Sequence, residues 1–72
     1  QLARTIYQED PLEVARSLSA LGQLRFLQQS YDEAAELFGE CLTIRREHLP
    51  PDDERIALVE ARLAEVAKGR QA

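Results

Sequence analysis

Shifted by 42 residues, the 72-residue chain falls back into register with itself. Asp10 lands on Asp52, Val14-Ala15 on Ile56-Ala57, Leu21-Gly22 on Leu63-Ala64, Leu24 on Val66 and Leu2 on Ile44. One offset aligns helix starts, apolar positions and small positions together. A period of this length marks an array of one supersecondary unit, which buries its apolar face only against its neighbours. One unit is whole, over about residues 11–52, and half-units flank it.

The unit is helical, and its helix ends are written in the sequence. Asp10-Pro11-Leu12-Glu13 opens a helix: Asp10 caps, Pro11 suits the first helical position, and Glu13 completes a capping-box pattern. Val14, Leu18 and Leu21 then recur at helical spacing with Ala15 and Gly22 beside them, which predicts a first helix over 11–28. Ser30-Tyr31-Asp32-Glu33 opens a second, over 31–48, with Ser30 expected to accept from the Glu33 amide and Glu33 to reach back. Its acids Asp32, Glu33 and Glu36 sit at the positive end of the helix dipole, and Arg45 and Arg46 near the negative end. Its apolar face is Ala34, Leu37, Phe38, Cys41, Leu42 and Ile44, and Pro50-Pro51 stop it.

Asp52-Asp53-Glu54 opens a third helix over 53–68, carrying Ile56, Val59, Leu63 and Val66, with Lys68 and Gly69 marking its end. Leu2, Ala3 and Ile6 share a face, so residues 1–9 read as the tail of a preceding helix. Connections this short force antiparallel neighbours. The expected fold is therefore all-α: an antiparallel helical-hairpin repeat, about 1.5 units long, forming a single fragment over 1–72.

Composition narrows the function more than it specifies it. Hydrophobic residues at 44% and charged residues at 31% describe a globular chain rich in helix formers. A net charge of −4 argues against nucleic acid or an anionic membrane surface as partner. Apolar runs are far too short to span a bilayer. One cysteine makes no internal disulfide, which is compatible with a reducing, cytoplasmic compartment. Cys41 and His48 are seven residues apart, about 10 Å by helix rise, so direct contact is not expected. Cys41 reads as a small core residue and His48 as a surface residue near a helix C-terminus. Neither a metal-ligand set, a phosphate loop nor a Ser/His/Asp arrangement is legible, so no cofactor, metal or catalytic residue is assigned.

The residues Leu18, Leu21-Gly22, Tyr31-Asp32-Glu33-Ala34 and Ala34-x-x-x-Phe38, with Cys41 in the slot usually held by Ala, resemble the tetratricopeptide repeat. The 42-residue period, Asp10-Pro11 followed by Val14-Ala15, and Leu42-Thr43-Ile44-Arg45 are similar to the longer repeats of kinesin light chains. In such a repeat Ala34 lets two helices approach and Phe38, one turn later, fills the wedge between them. The chain departs from the pattern at several positions. Arg25 stands where an aromatic is usual, with Phe26 next to it, and Gln29 replaces the Gly common in the tight turn. Ser19-Ala20 replaces the asparagines that hold a bound peptide's backbone in the kinesin-light-chain type. Glu60 fills the slot of Leu18, which fits a terminal helix showing water its outer face or, alternatively, a chain cut short in which Glu60 meets a further element.

What the resemblance implies is a non-catalytic protein–protein interaction module, whose first helices line a concave groove for a peptide or helix of a partner. Carried over position by position, the groove-facing residues are Arg16, Ser19, Ala20, Gln23 and Phe26, then Leu58, Ala61, Arg62 and Glu65. Arg16 and Arg62 would hold an acidic group and Phe26 an apolar anchor. The alternative is self-association: one and a half units fall below the roughly three needed for a continuous solenoid core, so open ends invite a second copy and a homo-oligomer. A repeat reading RNA bases would want a basic groove, which this composition does not provide.

Overall fold

A computed structural model describes residues 10–71. It contains three helices, α1 (Pro11–Leu27), α2 (Tyr31–His48) and α3 (Glu54–Gln71), and the described residues hold no strand. The expected tail of an earlier helix, residues 1–9, lies outside the described residues. α2 packs broadly on both α1 and α3. Ion pairs join α2 to α1 near the first turn of α2 and to α3 at both ends, so each neighbour runs antiparallel to α2.

Three chemistries set the helix boundaries. At the start of α1, the Leu12 amide donates to Oδ1 of Asp10 at 3.0 Å, with Pro11 in the first turn, where a missing N–H costs nothing. α1 ends one residue earlier than its spacing predicts, through a left-handed turn. Gln29 has φ of 64°, its amide donates to the Phe26 carbonyl at 2.9 Å, and the Ser30 amide donates to the Arg25 carbonyl at 2.8 Å. This pattern ties off the last carbonyls of a helix and normally recruits Gly to the left-handed position. Gln29 holds that position without glycine's freedom.

The expected cap by Ser30 does not form. Its side chain makes no capping hydrogen bond, because closing the preceding turn leaves its ψ at 71°, far from the 124° of the capping Asp10. The Glu33 carboxylate, instead of reaching back, meets Nε of Arg25 at 3.1 Å. α3 is capped by Asp53, whose Oδ1 accepts from the Arg55 amide at 2.8 Å.

α3 also continues past its expected end to Gln71. Gly69 is not a stop. A Cβ placed on it would meet Cε1 of Tyr31 at 2.6 Å, so the missing side chain is the seat of the Tyr31 ring. Gly22 plays the matching part on α1, where a Cβ would lie 3.0 Å from the Phe38 ring. In both places glycine lets an aromatic of α2 approach a neighbouring backbone.

These approaches build one core from all three helices. Ala15 of α1, Ala34, Phe38 and Cys41 of α2, and Val59 and Val66 of α3 are buried together. Leu18, Phe26, Tyr31, Ala35, Leu42, Ile44 and Leu63 pack around them. Ala34 and Phe38 sit on one face of α2, the small residue beside the large one, as the i,i+4 spacing requires. Burial pushes the Cys41 thiol above its ordinary pKa, against the opposing charge of Arg45.

Candidate protein-interaction face

α1 and α3 both run antiparallel to α2, so they are parallel to each other. Among the described residues no side-chain hydrogen bond or ion pair joins them. The groove candidates fall into three groups by exposure. Arg16, Ala20, Leu58, Ala61 and Glu65 are exposed. Ser19, Gln23 and Arg62 are half-buried. Phe26 is half-buried too, but much of its ring is engaged: it packs on the core and meets the Tyr31 ring edge-on at 5.7 Å and 66°. Such a pair contributes on the order of 1 kcal/mol beyond its buried area.

The arginines separate sharply by how they are held. Arg25, Arg46 and Arg70 bond carboxylates of another helix at 3.1, 2.8 and 3.0 Å, and Arg55 grips Asp53 through both Nε and a terminal nitrogen at 3.0 Å. Arg45 is buried, and its guanidinium donates to the Arg55 carbonyl at 3.1 Å, pinning the end of α2 to the start of α3. Arg16 and Arg62 differ. Each pairs only with a glutamate on its own helix, Glu13 at 3.9 Å and Glu65 at 3.7 Å. Exposed i,i+3 pairs at that length contribute little.

Two of these roles escaped the sequence reading. Arg45 reads as a dipole partner at a helix C-terminus, and its burial depends on α3 crossing above it. The Arg55 clasp on Asp53 has a local signal, an Arg two residues after a capping Asp, which spacing alone makes available. It holds the Asp53 carboxyl below the usual carboxylate range, chiefly through the side-chain and backbone hydrogen bonds from Arg55.

Glu60 lies exposed and bonds Arg46 at 2.8 Å across the α2–α3 junction, on the rim of a shallow cleft of about 400 Å³ lined by Arg46, Pro51, Ile56 and Glu60. The remaining face of α2 carries Glu33, Glu36, Glu40 and Glu47, all exposed. No group of three His, Cys, Asp or Glu side chains among the described residues is placed to hold a metal ion. No described helix is long and apolar enough to cross a membrane.

Comparison with known proteins finds no matching curated protein and no matching solved structure. The sequence model of the tetratricopeptide repeat matches residues 14–54, more than half of the chain, across α1, α2 and the start of α3. The 42-residue register accords with the kinesin-light-chain-like subtype. With its helical hairpin and the Gly22, Ala34 and Phe38 packing, the chain belongs to the tetratricopeptide repeat family, typically a non-catalytic scaffold for protein partners.

Proposed function

We propose that this chain is a non-catalytic interaction module, cytoplasmic in setting, that takes a peptide or helix of a partner protein along the face formed by α1 and α3. The partner segment carries an acidic group and an apolar side chain. The observation that supports this reading is the state of the arginines. Among the seven of the described residues, Arg16 and Arg62 alone have just long pairs within their own helix, so engaging a partner carboxylate costs little existing bonding. Two carboxylate-binding cations on an acidic molecule focus attraction on one face and select against basic partners. Phe26, held from behind by Tyr31, offers an aromatic surface whose rotamer entropy is already spent. Glu65, 3.7 Å from Arg62, repels acidic groups misplaced toward it.

The test is a titration of the chain with a short blocked peptide carrying a leucine beside glutamates, followed by fluorescence anisotropy. The same peptide with lysines for glutamates serves as control. The account expects saturable binding of the acidic peptide, weakened roughly tenfold or more by Arg16→Glu with Arg62→Glu. It also expects added salt to weaken binding. Equal affinity for both peptides, or no effect of the double charge reversal, contradicts it.

A further inference from the structure

The α1–α3 face is short of groups that hold an extended chain. A peptide laid out as a strand leaves its N–H and C=O groups unpaired, and a site holds it by supplying donors and acceptors along its length. The chain contains no asparagine, and Gln23 is the one carboxamide among the residues of that face. Between the heights of Arg16 and Arg62 the walls are small instead: Ser19 and Ala20 on α1 and Ala61 on α3. Small contacting side chains let two helix axes approach to about 8 Å, near the lower limit of helix packing. A helix brings its backbone hydrogen bonds with it and asks the face for none.

The heights of the charged and aromatic groups set the spacing a partner must match. Tyr31 meets Phe26 of α1 edge-on and its ring lies against Gly69 of α3, so those two residues stand at one height. The 42-residue offset gives the same level within one residue, placing Phe26 opposite Lys68. Arg16 lies ten residues before Phe26, about 15 Å down the axis, and Arg62 six or seven residues before that level, about 10 Å. The two arginines therefore differ in height by about one helical turn. On a strand, successive side chains of one face stand about 6.6 Å apart, and nearer neighbours point to opposite faces. On a helix, residues i, i+4 and i+11 lie within about 40° of one line and match all three heights to about 1.5 Å. Taking the α1–α3 face as the binding face, we propose that the partner segment is an amphipathic helix. It carries two carboxylates one turn apart, for Arg16 and Arg62, and a large apolar residue two turns beyond them, for Phe26. The pattern holds for either direction of the partner helix.

Fluorescence anisotropy of the 72-residue chain with three labelled peptides tests this, each peptide made in both reading directions. The first carries glutamates at i and i+4, leucine at i+11, and a lactam on the opposite face that locks the helix. The second lacks the lactam. The third keeps it and moves the glutamate from i+4 to i+2, off the face. Locking settles in advance the ordering entropy of a segment too short to be helical alone, so the first should bind about tenfold tighter than the second. Moving the glutamate should cost about tenfold, and Arg62→Glu, checked for unchanged helicity by circular dichroism, should abolish that difference. An unlocked peptide that binds as tightly as the locked one, or indifference to the position of the glutamate, overturns the helix and leaves the face standing. Failure of every peptide to bind overturns the face and the helix together.

Discussion

Gln29 is the residue that most visibly works against its own backbone. A left-handed φ of 64° costs a side-chain-bearing residue roughly 1–2 kcal/mol, which glycine avoids, though glycine has more unfolded-state entropy to lose. Gln29→Gly should therefore raise stability by about 0.5–1 kcal/mol, read as a higher urea midpoint with an unchanged slope. Asp53 gives a pH signature. Its carboxyl titrates below the ordinary range in the folded chain, so the unfolded chain takes up that proton first as pH falls. The stabilisation is complete above the unfolded value, about 3.9, and disappears as pH drops through the folded one. Asp53→Asn keeps a capping side chain but removes the charge. The gap in urea midpoint between the two chains should be present at neutral pH and close below about pH 4. At this scale the sequence is legible where the chemistry is local: Asp10 caps its helix as its neighbours say it should. It is illegible where two local demands meet. Ser30 has the residue type of a cap, but its backbone is committed to ending α1.

Among the elements, the three glycines divide by what they face, and a single substitution reads each one. Gly39 has open space around it, so Gly39→Ala should gain about 0.5–1 kcal/mol from helix propensity alone. Gly22→Ala makes the same gain but drives a methyl to 3.0 Å from Phe38, whose ring is 1% exposed and has nowhere to move. Overpacking of that kind costs roughly 1–3 kcal/mol, so the net effect should be a loss. Gly69→Ala meets Tyr31 at 2.6 Å and should loosen the end of α3. Thermal unfolding of the three variants should rank Gly39→Ala above the parent chain and both others below it. The positions of the helices could be read from capping and periodicity, because those signals lie within each element. The end of α3 could not. Gly69 has the residue type of a stop signal, and only the ring of Tyr31 arriving from α2 shows that it is a packing site. Arg45 is the same case: its place near the end of α2 is visible in the sequence, but its burial against the Arg55 carbonyl is made by the crossing of α3.

For the whole molecule, the proposed binding face borders the core on α1 and α3: Phe26 packs on the core, and Ser19, Gln23 and Arg62 are half-buried beside it. Ala15, Val59 and Val66 turn inward to meet Phe38, which leaves Arg16, Ala20, Leu58 and Ala61 outward. The repeat pattern made this division readable, since a register that fixes the buried residues fixes the outward ones with them. It did not reveal which arginines are tied across helices, because the partners of Arg25, Arg46 and Arg70 lie on other helices. The central claim is that the α1–α3 face, and not the acidic ridge of α2, receives the partner. Nitrogen-15-resolved titration of the chain with the acidic, leucine-bearing peptide tests it residue by residue. The account predicts the largest shift changes at Ser19, Gln23, Phe26, Arg62 and Glu65, with Glu36, Glu40 and Glu47 unmoved. Changes centred on those three glutamates, or none at saturating peptide, would contradict it.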